Sequence, residues 1–191
     1  MELGYRIYMI LLALFTLPIF IVPFLAASDS GLAGPLYSFY GLSCHQFISR
    51  SICYFPGYGI SDCTSAAGLA PYRIHITEKN GMVGYPFPVC ARDLGIYLAA
   101  LASGLLLIFL KKENMMEIPN PLFFILALVP IALDGGTQLI GLRESTNFLR
   151  LLTGGIAGFA FSFYCVPLMN RAFAKKDGEM RPGDGKEGEK K

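Results

Sequence analysis

A run of 21 residues from Ile7 to Ala27 carries no charged side chain. At about 1.5 Å per residue, a helix of that length crosses a hydrocarbon core of roughly 30 Å. In lipid, every backbone N–H and C=O must find a partner within the protein, so such a run commits the chain to spanning helices. The exception is a cleaved targeting segment, and Ala26-Ala27-Ser28 resembles small-residue cleavage chemistry. A signal core, however, has roughly 7–15 apolar residues, and this run is longer and holds Pro18 and Pro23.

Three more runs follow. Leu94 to Leu110 is closed by Lys111-Lys112-Glu113 and spans if its helix begins near Ala91. Ile118 to Leu142 is long enough, but Asp134-Gly135-Gly136 interrupts it, so its second half reads as a poor helix in isolation. Leu151 to Asn170 is uncharged, stops at Arg171, Lys175 and Lys176, and has Ser145, Thr146 and Asn147 in front of it as caps. The expected fold is an all-α membrane protein, a four-helix transmembrane bundle with a long, partly folded extracellular loop. Its membrane domain covers residues 1–174, with spans near 7–27, 91–110, 118–142 and 151–170 and an outer loop over 28–90. Residues 175–191 are mostly Lys, Glu, Gly and Asp, the composition of a disordered tail.

Composition narrows the function classes. Of 191 residues, 53% are hydrophobic and 16% charged, against about 25% charged in soluble domains; the mean hydropathy is +0.49. An ordinary cytosolic enzyme is excluded. A nucleic-acid partner is excluded as well, because seven of the 16 Lys and Arg lie after residue 170 rather than in a folded basic stripe. The bilayer is the expected partner. Lys and Arg beside short flanking segments favour the cytoplasm, so Arg6, Lys111, Lys112 and the basic tail put both termini inside and the long loop outside the cell membrane. Gly154 with Gly158, and Ala100 with Gly104, stand four apart and offer small-residue faces for close helix approach. No internal repeat supports an inverted-repeat transporter.

Chemistry collects in the loop. Cys44, Cys53, Cys63 and Cys90 fall there with His45 and His75, while Cys165 lies in the last span and packs as a small hydrophobe. Four cysteines outside the cell permit three disulfide connectivities. Tyr72 to Thr77 alternates as a strand does, Asn80-Gly81 is a turn dipeptide, and Met82 to Tyr85 can return as its partner. Ser38 to Ser49 reads as a helix near the interface. The densest group is Cys44-His45-Gln46 with Arg50, and Cys90-Ala91-Arg92-Asp93 where the second span begins. Cys44, His45, Cys90 and Asp93 have the donor chemistry of a zinc site. Cys90 and Asp93 stand three apart and face one point at a helix start. Against this, Cys44 bonded to Cys90 and Cys53 bonded to Cys63 would be simple loop staples.

A second group opposes it. Asp134 needs a partner in the membrane, and an ionised residue there marks a functional site by default. Arg143, Arg150 and Arg92 can all approach it. Either an Asp–Arg pair clamps the bundle, or Thr137, Gln138, Ser145 and Asn147 line a binding cavity with it. Arg50, Arg92, Arg143 and Arg150 either converge on one pocket for an anionic headgroup or carboxylate, or snorkel at the interface.

At these residues the chain resembles a family of small prokaryotic multi-pass membrane proteins known mainly as a domain of unknown function. The resemblance rests on Cys44-His45-Gln46, on Pro88-Val89-Cys90-Ala91-Arg92 leading to Gly95-Ile96-Tyr97, and on Asp134-Gly135-Gly136-Thr137-Gln138. Gly141, Arg143, Ser145, Asn147, Leu149-Arg150 and Thr153-Gly154 extend it, so that it covers most of residues 40 to 160. It implies no activity. Family members often carry a second cysteine where this chain has Asp93. Aspartate can ligate a metal but cannot form a disulfide, so the departure argues against a dithiol on that pair and leaves metal binding open.

Three functions remain in view. The first is a membrane enzyme acting on an anionic lipid-linked or membrane-anchored substrate. In it Asp134 or His45 is the acid or base, Arg143 stabilises charge, and Arg50, Arg92, Arg150, Gln46, Thr137, Gln138 and Asn147 hold substrate. The second is a thiol-disulfide oxidoreductase on Cys44 and Cys90 with Cys53 and Cys63 as relay. The third is a non-catalytic binding or transport protein whose loop cysteines are staples.

Overall fold

The computed structural model describes residues 2–44, 46–64, 66–70 and 74–178. Among the described residues, four helices are long and apolar enough to cross a membrane: α1 (Leu3–Ala27), α3 (Ala91–Phe109), α4 (Pro121–Leu139) and α5 (Asn147–Gly178), with a short α2 (Ala33–Tyr40) after the first. The expected spans are found with shifted ends, each for a local reason. Asn120 caps α4 by accepting the Leu122 N–H at 2.9 Å, and Pro121 fills the first turn, so α4 opens at 121 rather than 118. The Thr146 hydroxyl accepts the Leu149 N–H at 3.3 Å, which starts α5 four residues ahead of Leu151. α5 runs to Gly178, past Lys175 where the tail was expected to begin; residues 179–191 lie outside the described residues.

Asp134-Gly135-Gly136 does not break α4. The helix continues through both glycines and stops after Leu139 in a Schellman turn. Leu142 N–H bonds Thr137 O at 3.0 Å, Gly141 N–H bonds Gln138 O at 3.2 Å, and Gly141 takes a φ of +72°. Tertiary anchoring at Asp134, described below, outweighs the low propensity of the glycines.

The all-α expectation needs correction, because the loop between α1 and α3 holds an antiparallel sheet. Its strands are β1 (Ile52–Phe55), β2 (Gly59–Asp62), β3 (Ala66–Ala70), β4 (Ile74–Lys79) and β5 (Met82–Pro86), in the order β2-β1-β5-β4-β3. The expected hairpin is there: Asn80 and Gly81 have φ of +53° and +75°, and Lys79 pairs with Met82. Tyr72 and Arg73 of that reading lie outside the described residues. The helix expected over Ser38 to Ser49 is also corrected. α2 ends at Tyr40 and a single 3-10 turn covers Ile48–Arg50, with Gln46 between them at a φ of +51° that no helix admits. One disulfide joins Cys53 to Cys63 across the β1–β2 hairpin, while Cys44 and Cys90 are free, so the expected Cys44–Cys90 staple is not formed.

α3 and α5 pack closest. A Cβ built on Gly154 would lie 2.2 Å from Arg92 O, one on Gly158 2.1 Å from Ile96 O, and one on Gly95 2.4 Å from Leu151 O. The Gly154 and Gly158 pair does the work expected of it. Gly104 on α3 instead meets Met9 of α1, and its carbonyl accepts the Tyr5 hydroxyl at 2.9 Å. α1 is thus a working member of the bundle. The sheet sits at the end where α1 finishes and α3 begins, and it is packed there by Tyr37, Tyr40, Phe87 and Val89.

Candidate functional site

α3 begins in a crowded corner. Cys90 is its N-cap residue, with extended backbone, and its side chain makes no cap bond. The Cys90 thiol instead donates to Asp93 Oδ2 at 3.2 Å, one helical turn on. Asp93 sits in the first turn, where the helix dipole favours negative charge. Cys44 arrives from the segment after α2, and its sulfur accepts the Cys90 N–H at 3.3 Å. Gln46 holds the two segments together: its Nε2 donates to Tyr37 O at 2.7 Å and to Pro88 O at 2.9 Å. The Cys-His-Gln sequence therefore places a thiol and, two residues on, the amide that fixes it.

The sulfurs of Cys44 and Cys90 and a carboxylate oxygen of Asp93 all lie within 4.8 Å of one another. Ser43, Cys44, Phe47, Arg50, Cys90 and Asp93 line a pocket of about 190 Å³ beside them. The two thiols are unequal. The Cys90 thiol beside it, with help from the Gln46 backbone, holds Cys44 below the usual thiol range despite burial. The Cys44 sulfur, burial and the Asp93 charge push Cys90 far up. His45, expected as a ligand or base, lies outside the described residues, as does the side chain of His75.

The second group is equally well formed. Asp134 has 2% side-chain exposure and is the buried residue of α4. Arg92 Nη2 donates to its Oδ2 at 2.5 Å and Arg143 Nη2 to its Oδ1 at 2.9 Å. Arg143 also reaches Thr137 Oγ1 at 3.3 Å, and Thr137 donates to Leu133 O at 2.7 Å. The side-chain nitrogen of Gln138 is buried without a partner. Asp134 thus ties α3, α4 and the α4–α5 turn together.

Asn147 and Arg150 secure the sheet to α5. Asn147 Nδ2 donates to Ser51 O at 3.1 Å and to Asp62 Oδ1 at 3.0 Å, while Arg150 Nη1 donates to Asn147 Oδ1 at 2.8 Å. Arg150 is buried, with 3% exposure. The four arginines therefore divide: Arg92 and Arg143 meet on Asp134, Arg150 joins Asn147, and Arg50 faces the cysteine pocket. Sequence reasoning left out Ser43 and Phe47 as lining residues. Their place follows from the turn at Gln46, which neither periodicity nor spacing announces.

Comparison with known proteins places the chain among predicted membrane proteins. A family described as a predicted membrane protein, DUF2085, matches residues 81–164, which include Cys90, Asp93, Asp134, Arg143 and Arg150. An uncharacterized protein of Methanocaldococcus jannaschii is 36% identical over 182 residues, which is 92% of this chain and 99% of that one. An uncharacterized protein of Methanothermobacter thermautotrophicus is 39% identical over 79 residues, 41% of this chain and 69% of that one. No solved structure matches the chain.

Proposed function

The chain belongs to the DUF2085 family of predicted membrane proteins, and on that footing we propose that it is a membrane enzyme with a metal centre on Cys44, Cys90 and Asp93. Its substrate is an anionic group on a lipid-linked or membrane-anchored molecule. One observation carries the reading: two sulfurs and a carboxylate oxygen within 4.8 Å of one another, beside a pocket. Two thiolates and a carboxylate suit zinc, and a catalytic zinc takes three protein ligands and keeps one position open. Zinc held there would supply Lewis acidity and an acidified water near neutral pH.

The chain's own residues do the rest. Cys44 is already biased toward thiolate, Cys90 loses its proton on ligation, and Gln46 keeps the two segments in register. Arg50 faces the pocket and offers a forked donor set to negative charge. His45, next to Cys44 in the chain, is the candidate base. Asp134 has both oxygens committed to guanidinium groups, so in this reading it fixes the start of α3 and leaves proton transfer to others. The sheet end faces outward: Lys111, Lys112 and Arg171 gather at the other end, and the Cys53–Cys63 disulfide suits an oxidising side.

A second reading has its own observation, the Cys44 and Cys90 sulfurs within 4.8 Å of each other, which suits an attacking and a resolving thiol in disulfide exchange. Metal analysis of the full chain purified without chelator, paired with intact mass before and after reduction, separates the two. The metal-centre reading expects zinc at one per chain, lost in Cys90→Ser, and a single disulfide. Two disulfides and no metal would overturn it.

A further inference from the structure

The cysteine pocket has an apolar edge. Phe47 lines it at 56% exposure, and the Arg50 guanidinium carbon lies 5.2 Å from the centre of the Phe47 ring. The same segment exposes Leu32, Phe39 and Leu42 at 65%, 52% and 87%. These lie on the outer side of α2 and at its ends, while Ala33, Tyr37 and Tyr40 on its inner side are buried. The Tyr40 hydroxyl donates to Phe15 O at 2.6 Å, which pins the end of α2 against the middle of α1. A short helix with one face on the bundle and one apolar face free is built to lie at a membrane interface.

Arg50 lines the pocket, and among the described residues it forms no ion pair with a carboxylate. Its guanidinium stands over the Phe47 ring where the apolar edge begins, and there it offers the forked donors that bind phosphate.

We infer that the pocket takes the phosphate headgroup of an anionic lipid that enters from the bilayer, with phosphate on Arg50 and the chains over Phe47, Phe39 and Leu42. The inference deepens the enzyme reading by naming its substrate class, but lipid retention does not require that the metal centre exist. A phosphate-bearing lipid and free phosphate share the headgroup chemistry, and the apolar edge favours the lipid.

The test is native mass spectrometry of the full chain released from mixed micelles, with zinc content measured on the same samples. The probes are phosphatidylglycerol, phosphatidylcholine and inorganic phosphate. One phosphatidylglycerol per chain is expected to persist, with phosphatidylcholine lost and millimolar inorganic phosphate unable to displace the lipid. Arg50→Gln should cut retention by about tenfold, and Phe47→Ser by a smaller factor. Equal retention of phosphatidylcholine, displacement by inorganic phosphate, or an unchanged Arg50→Gln would each overturn the inference. Zinc absent from a chain that still selects phosphatidylglycerol would instead remove the metal centre and leave the lipid site standing.

Discussion

Arg92 and Asp93, neighbours at the start of α3, serve two different clusters. Arg92 reaches Asp134 on α4 at 2.5 Å, while Asp93 accepts the Cys90 thiol at 3.2 Å on another side of the helix. Successive residues on a helix point about 100° apart, so one peptide unit links an ionic clamp to a thiol–carboxylate group.

Breaking the clamp should therefore cost stability first. Asp134→Ala strands Arg92 and Arg143 without their shared carboxylate, and removal of one partner from a buried pair costs about 3–5 kcal/mol. The figure is lower if lipid headgroups reach Arg143, whose side chain is 48% exposed. Thermal unfolding in detergent measures it. A melting point equal to wild type would mean that Asp134 does not clamp the bundle.

Two glycines in the same membrane should respond in opposite directions to alanine. At Gly158 a methyl group would meet Ile96 O at 2.1 Å, so α3 and α5 must separate, at a cost of about 1–3 kcal/mol. At Gly136, in the body of α4, nothing lies within 4 Å, and alanine should stabilise by up to about 1 kcal/mol through helix propensity. Paired melting curves check the signs.

Alkylation should distinguish the thiols. In chelator-treated protein at neutral pH, iodoacetamide should modify Cys44 ahead of Cys90. The lowered pKa of Cys44 keeps thiolate present below the usual thiol range, and the raised pKa of Cys90 keeps it protonated. As pH falls, Cys44 labelling should persist to lower pH than that of an ordinary exposed thiol. Peptide mapping after brief exposure reads the order, and Cys90 reacting first would reverse the assignment of roles.

The Cys53–Cys63 bond closes a loop with a separation of 10 residues, worth about 2–3 kcal/mol in the chain-entropy account. The double variant Cys53→Ala, Cys63→Ala should loosen the β1–β2 hairpin while the helices keep their melting point. Hydrogen exchange resolves that difference, since Phe55 and Ser61 report on the hairpin and Leu107 on the bundle. Equal protection with and without the bond would show that strand pairing alone holds the hairpin.

Helix number and the hairpin were legible because each rests on a local signal, a charge-free run or an Asn-Gly turn. The sheet as a whole was not, since β1, β2 and β3 are four or five residues each and gain their pairing from other strands of the loop, β1 from β2 and β5 and β3 from β4. Asp134 was legible as a residue needing a partner, and Arg92 and Arg143 as the candidates. The division of the four arginines was not, because Asn147 draws Arg150 away through contacts with Ser51 and Asp62 that are distant in the chain. Gln46 carries the same lesson: its amide bridges Tyr37 and Pro88 from a left-handed backbone position that spacing cannot announce.

Asp134 is the buried residue of α4, and Leu122, Phe123, Ile125, Leu126 and Leu133 on that helix are more than half exposed. Acyl chains, rather than neighbouring side chains, must fill the space around most of this helix. Its upkeep thus depends on the solvent the protein is given: extraction into a short-chain detergent should fray this segment before the glycine-sealed pair of α3 and α5 begins to part.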